Sequence, residues 1–259
     1  MNIASVIEKI KQMNYPDFVA YIGQINTPPG EMLPVYEWIK MAVIQKGSYL
    51  LDLACSTRFS SRKISKITQC KAQGIDISQS AIERARQAAG AAHQSDRLTY
   101  LVGDATDLAF AAATFTHIVA GCNFGFIQQR EKALEECKRV LKSDGRLCVA
   151  NFYYDKTPPE SLLNQVQAVI GFKPNPLWTL LWWQQFFSAS FKLIAQSHHN
   201  LSVHSENVVR DKVYSAIYEE SEPLKQQPEA IKKACFDRLL QTRHILNQHR
   251  NYQKFEISI

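Results

Sequence analysis

From Tyr49 to Tyr154 the chain alternates short apolar runs with longer amphipathic stretches, a rhythm that few folds accommodate. The apolar runs 49–55, 71–77, 98–104, 116–122 and 146–154 have strand length, and the segments 60–67, 78–89 and 128–141 between them read as helices. In the last helix Ala133, Leu134, Cys137, Val140 and Leu141 form one stripe at i, i+3 and i+4 spacing, with charges opposite. Ser78 is placed to cap one helix and Asp144-Gly145 to end another. Strands and helices alternating at this spacing build right-handed βαβ units on a parallel sheet, so the expected class is α/β.

Upstream, residues 3–13 read as a short helix, 21–32 as a loop rich in breakers (Gly23, Pro28, Pro29, Gly30) and 33–44 as a second helix. Beyond Asp155 the rhythm stops. Residues 156–191 hold four prolines and the aromatic cluster Trp178, Trp182, Trp183, Phe186, Phe187 and Phe191. A strand over 191–204, helices over about 206–219 and 229–249, and a strand over 252–259 complete the expected elements. The organisation predicted is N-terminal helices and a lid loop over 1–46, a ligand-binding core over 47–155, and an aromatic-rich cap with late strands over 156–259.

Composition removes several alternatives. With 46% hydrophobic and 21% charged residues over 259 positions, the chain reads as a globular protein. Its net charge of +6 is spread thinly. The one local concentration, Arg58, Arg62, Lys63 and Lys66, has the spacing of a solvated helix face, so nucleic acid is not an expected partner. No apolar run reaches membrane-spanning length. Glu8, Lys9 and Lys11 interrupt the stretch where a signal peptide needs an apolar core, and a cytoplasmic location is expected. Cysteines 55, 70, 122, 137, 148 and 235 form no C-x-x-C pair and fall mostly in apolar runs, which suits buried reduced thiols and no metal site.

In an open parallel sheet, ligands bind outside the carboxyl ends of the strands. Here those ends carry Asp52, then Gly74-Ile75-Asp76, Gly103-Asp104-Ala105 and Gly121-Cys122-Asn123. An aspartate ending the second strand suits the two hydroxyls of a ribose, and one ending the third suits an exocyclic amine. Desolvating carboxylates without donors is costly, so a ligand that brings donors is a natural partner. Each aspartate taken alone could equally cap the helix that follows it.

In these motifs the sequence resembles the class I S-adenosylmethionine-dependent methyltransferases. The landmarks are Asp52 in the first-strand motif, 74-GIDIS-78, 103-GDATDLAF-110, and 135-EECKRVLKSDGRL-147, where Ser143-Asp144-Gly145 replaces the family's Pro-Gly-Gly. The resemblance implies a Rossmann-like, seven-stranded, mostly parallel sheet with helices on both faces, an antiparallel last strand and a helical cap. It implies S-adenosylmethionine as cofactor and S-adenosylhomocysteine as product. Asp76 would hold the ribose hydroxyls, Ile77 would pack on the adenine, and Asp104 and Ala105 would contact its edge. Asn123 would face the methionine part. Asp52 would order the first loop or reach the cofactor's amino group through water. The family's glycine-rich loop departs here, with Ala54, Ser56 and Arg58 at the glycine positions. Ser56 could add a hydrogen bond; Arg58 could grip the cofactor's carboxylate, turn outward, or fill the pocket.

The expected reaction is methyl transfer to a small, hydrophobic or aromatic molecule, with a homodimer as an open assembly and no membrane partner. A sulfonium is already activated, so positioning supplies most of the rate and no side-chain triad need be visible. Candidate bases are His198 and His199, with His204 nearby; candidate substrate contacts are Tyr21, Asn26, Phe126, Trp182 and Phe186. Arg58 keeps open a divergent member of the fold that binds cofactor or substrate but isomerises, cyclises or does no chemistry. A dinucleotide oxidoreductase is disfavoured, since no G-x-G-x-x-G follows the first strand. A non-catalytic binding protein is the remaining alternative.

Overall fold

A computed structural model of the chain describes residues 2–56 and 59–259. The strands are β1 (Tyr49–Asp52), β2 (Lys71–Asp76), β3 (Leu98–Val102), β4 (Phe115–Gly121), β5 (Leu141–Tyr154), β6 (Gln196–Asn200) and β7 (Gln253–Ser258). The helices are α1 (Ile3–Gln12), α2 (Tyr15–Tyr21), α3 (Met32–Met41), α4 (Phe59–Thr68), α5 (Gln79–Ala91), α6 (Arg130–Val140), α7 (Glu160–Ile170), α8 (Leu180–Ser188), α9 (Glu206–Tyr214) and α10 (Glu229–His249). The sheet has the order β3-β2-β1-β4-β5-β7-β6. β1 pairs in parallel with β2 and β4, β2 with β3, and β4 with β5, whereas β6 and β7 are antiparallel. The α/β sheet predicted from the alternating pattern is therefore present, with its antiparallel end.

Two compact units, each discontinuous in sequence, divide the chain. The sheet unit takes residues 26–153, 178–200 and 254–259; the helical unit takes 1–25, 154–177 and 201–253. In the sheet unit Leu50, Leu51, Ile118, Val119 and Cys148 are buried as near-continuous apolar strand cores, as a sheet covered on both faces requires. The Trp38 indole of α3 donates to the Val149 carbonyl of β5 at 3.2 Å. Ser78 caps α5, its hydroxyl accepting from the Ala81 N–H at 3.2 Å. The pairing register jumps from Phe115–Leu141 to His117–Arg146, so the chain bulges around Asp144-Gly145, where the sequence predicts a stop.

The helical unit packs Ile10 of α1, Phe18 of α2 and Val213 of α9 around Cys235 and Leu239 of α10. Arg238 lies 4.3 Å from the Phe18 ring centroid and donates to the carbonyls of Ile10 and Met13. Two helices here are absent from the sequence prediction. α2 is set by Asn14, whose side chain accepts the Asp17 N–H and donates to the Asp17 carboxylate, both at 2.8 Å. α7 begins after Pro159 and buries Leu162, Leu163 and Val166, an i, i+1, i+4 stripe masked by the surrounding prolines. The helix predicted over 206–219 is α9 continued by a π-turn over Ser215–Glu219.

On one face of the sheet unit a carboxylate is buried, with no ion pair to it among the described residues. Glu256 of β7 accepts from Asn151 of β5 at 3.2 Å, from Gln196 of β6 at 3.1 Å, and from the Ser258 hydroxyl. Burial pushes its carboxyl up to about 7, against these donors.

Two outcomes follow from this packing. At Gly74 an added Cβ would lie 2.6 Å from Tyr100 Cδ1 and 2.9 Å from Cys55 Sγ, with Tyr100 itself buried. Gly74→Ala should therefore cost about 1–3 kcal/mol, read as a lower denaturant midpoint, and an unchanged midpoint would show that β2 has slack there. Glu256 favours the folded state when protonated, so its contribution is complete below the unfolded carboxyl range and is lost as pH rises towards 7. Measured from pH 4.5 to 8, the native protein should lose on the order of 1–3 kcal/mol relative to Glu256→Gln; parallel stability curves would contradict this.

Candidate functional site

The carboxyl ends of β1, β2 and β4 converge on the loop after Asp52. Asp52 is buried, and its Oδ2 accepts the Ser61 N–H in the first turn of α4 at 2.9 Å. The Ser61 hydroxyl lies 3.1 Å from the Tyr100 hydroxyl of β3. Burial pushes the Asp52 carboxyl up to about 6; the Ser61 hydrogen bonds oppose this and the nearby Asp76 charge adds to it. Asp52 thus ties the end of β1 to the first turn of α4.

Asp76 carries the second set of contacts. Its Oδ2 accepts the Ser56 N–H and its Oδ1 the Ser78 N–H, both at 2.9 Å. Burial raises its pKa while these two N–H groups lower it. A carboxylate offers about four lone-pair sites, so each oxygen keeps capacity for one more donor. Ala54 and Ser56 take φ of +49° and +44°, in the left-handed region that favours glycine. The backbone thus keeps a glycine-loop conformation without the glycines, and the Asp76 tie to Ser56 holds it there. Asn26 donates to the Ser56 hydroxyl at 3.0 Å, and a Cβ on Gly121 would meet Pro28 at 3.0 Å. The breaker-rich loop therefore lies against the first motif and the end of β4. Arg58, the open question in the motif, falls outside the described residues.

Beyond this centre, Ile77 is 78% exposed at the end of β2, an apolar face without protein cover. Asp104 is exposed and accepts the Thr106 N–H at 2.8 Å, while Ala105 beside it is buried. Asn123 is buried and donates to the Leu53 carbonyl, joining the chain after β4 to the chain after β1, and its Oδ1 is a buried acceptor with no donor among the described residues. The structure thus gathers Asp52, Ala54, Ser56, Asp76 and Asn123 on one loop system, with Ile77, Asp104 and Ala105 at the adjoining strand ends.

Of the substrate candidates, Trp182 and Phe186 stack at 5.6 Å on α8, and Phe186 lies 5.7 Å from Phe124 in the loop after β4, which also carries Phe126. Tyr21 belongs to the helical unit and packs against its core; burial raises its pKa, with Cys235 adding. His198 and His199 point to opposite faces of β6. His198 stands opposite Glu256, edge-on to Tyr153 at 6.2 Å. His199 stacks on Phe255 at 4.9 Å, with Nε2 3.2 Å from Glu37 and 2.9 Å from the Ser197 hydroxyl. His204 belongs to the helical unit beside Lys212. Glu37, Glu256 and Arg130 carry no sequence signal of their own, because their contacts are with residues distant in sequence.

All six cysteines are free, five of them buried. Among the described residues no cluster of His, Cys, Asp or Glu could hold a metal ion, and no helix is long and apolar enough to cross a membrane.

Residues 51–149 match the family model of a methyltransferase domain. Over 113 residues the chain is 33% identical to the O-methyltransferase resE of Aspergillus sclerotiorum, a match covering 44% of this chain and 43% of that one. Over 107 residues it is 37% identical to the ubiquinone/menaquinone C-methyltransferase UbiE of Cereibacter sphaeroides, covering 41% and 43%. The chain thus spans less than half the length of these curated relatives. Among solved structures it is similar to the MccD protein, with 42% identity and a TM-score of 0.79 over 90% of this chain and 98% of that one. At 16% identity the [4+2]-cyclase SpnF shares the fold, with a TM-score of 0.65.

Proposed function

Because the chain belongs to the class I S-adenosylmethionine-dependent methyltransferases, we propose that it transfers a methyl group to a small molecule bound beside the carboxyl ends of β4 and β5. The observation that carries this is the pair of desolvated carboxylates, Asp52 and Asp76, at the ends of the neighbouring strands β1 and β2; among the described residues no cation pairs with either. A ligand bearing a ribose diol, an ammonium and a sulfonium supplies the donors and positive charge that such a site lacks.

The residues present fit that cofactor. The spare lone pairs of Asp76 suit the ribose hydroxyls, the orphaned Asn123 Oδ1 suits an ammonium donor, and the uncovered Ile77 suits a flat base. Asp104 and Ala105 stand at the end of the neighbouring strand. When bound, the cofactor supplies an electrophilic methyl on sulfur. The protein's part is positioning and water exclusion, for which the Asn26–Pro28 loop and the α8 aromatics are the candidate walls. His198 and His199 enter only for an acceptor that must lose a proton, and their opposite orientations let one of them serve.

A dinucleotide oxidoreductase fits less well: its sheet runs 3-2-1-4-5-6, whereas here β7 inserts between β5 and β6. The fold shared with a cyclase keeps the second reading, ligand binding with other or no chemistry, as the alternative.

Calorimetric titration tests the assignment. The native protein should bind S-adenosylhomocysteine, and Asp76→Asn should weaken binding by about tenfold or more, the size of one charge-assisted hydrogen bond. Equal affinity in the variant, or tighter binding of a nicotinamide dinucleotide, would overturn it. With a turned-over acceptor in hand, His198→Ala and His199→Ala should differ in rate; equal rates would remove the histidine base.

A further inference from the structure

A cation stands at the edge of the aromatic shelf. Arg130 is the first residue of α6, directly after the loop that leaves β4. Its Nε donates to the Phe124 carbonyl at 3.2 Å. Its guanidinium carbon lies 5.0 Å from the Trp178 ring centroid and 5.9 Å from that of Trp182. Two indoles and a carbonyl therefore fix a side chain that ordinarily holds considerable rotamer freedom.

Its terminal amino groups make no hydrogen bond to the described residues, and no described carboxylate pairs with it. The helix supplies none either, since positions i+3 and i+4 are Ala133 and Leu134. Arg139 at the other end of α6 shows the contrast, donating to Glu136 at 2.7 Å and to the carbonyls of Phe110 and Leu108 at 2.7 and 2.8 Å. Trp182 is only half-buried, and Phe126, in the loop that leads from β4 into α6, is 57% exposed.

A preorganised guanidinium with uncommitted donors, beside uncovered apolar surface, is complementary to a flat apolar body carrying an oxyanion. We propose that Arg130 is a specificity-determining residue that recognises a carboxylate or phosphate on an aromatic or similarly flat acceptor. This deepens the methyltransferase reading and rests on it.

The test uses three probes of one shape, 1-naphthol, 1-naphthoate and 1-naphthyl phosphate, titrated calorimetrically into the full chain with S-adenosylhomocysteine present. The two anions should bind about tenfold or more tightly than the naphthol, and their ratio assigns the preferred oxyanion. Arg130→Gln should abolish that preference while leaving the naphthol affinity and thermal midpoint close to native, and Arg130→Lys should restore part of it. Equal binding of the three probes, no binding of any, or a preference that survives Arg130→Gln would each overturn the proposal. Titration of S-adenosylhomocysteine alone separates the failures: if it binds the native protein and Arg130→Gln equally, the cofactor site stands whatever the probes do.

Discussion

The site depends on one carboxylate. Asp76 accepts a backbone N–H on each oxygen, one from the loop after β1 and one from the start of α5. The bond to Ser56 crosses between neighbouring strand ends and fixes a loop whose Ala54 and Ser56 lie in a region of backbone space that costs L-residues roughly 1–2 kcal/mol each. The hydrogen bonds and the buried neighbours Leu53 and Cys55 offset that cost. Glycine in those positions would relieve the strain but would leave the loop freer. Here the conformation is imposed from outside, by Asp76 on one side and by Asn26 on the Ser56 hydroxyl.

Electrostatics adds a second reason for the arrangement. Burial raises both carboxyls, and the Asp76 charge adds to the cost of ionising Asp52. Cys55, beside them, has its thiol pushed well up by burial and then by the same two charges, which favours the protonated thiol. Two desolvated carboxylates of this kind favour a ligand with positive charge and hydroxyl donors, which is the physical basis of the proposed cofactor site.

Much of this is legible in sequence because it is local. The ends of β1 and β2 at Asp52 and Asp76, and the polar residues Asp104 and Asn123 two places past β3 and β4, follow from apolar runs that stop at polar residues, and period-3.6 stripes mark α5 and α6. What escapes is set by distant partners. The stripe of α7 is short and flanked by Pro158, Pro159, Pro174 and Pro176, so breaker residues hide it. His198 and His199 look equivalent in sequence, yet strand pleating sends them to opposite faces. Glu256 reads as the polar phase of an alternating strand, but Asn151 and Gln196, brought in by β5 and β6, make it a buried network. Arg130 reads as a solvated helix charge until Trp178 and Trp182 lie against it.

The most direct measurement is a crystal structure grown with S-adenosylhomocysteine. The ribose hydroxyls should lie on Asp76 with the Ser56 N–H bond retained, and an amino group should lie on Asn123 Oδ1. Ligand bound elsewhere, or an Asp76 turned away from it with the Ser56 bond broken, would contradict the claim that this carboxylate organises the site.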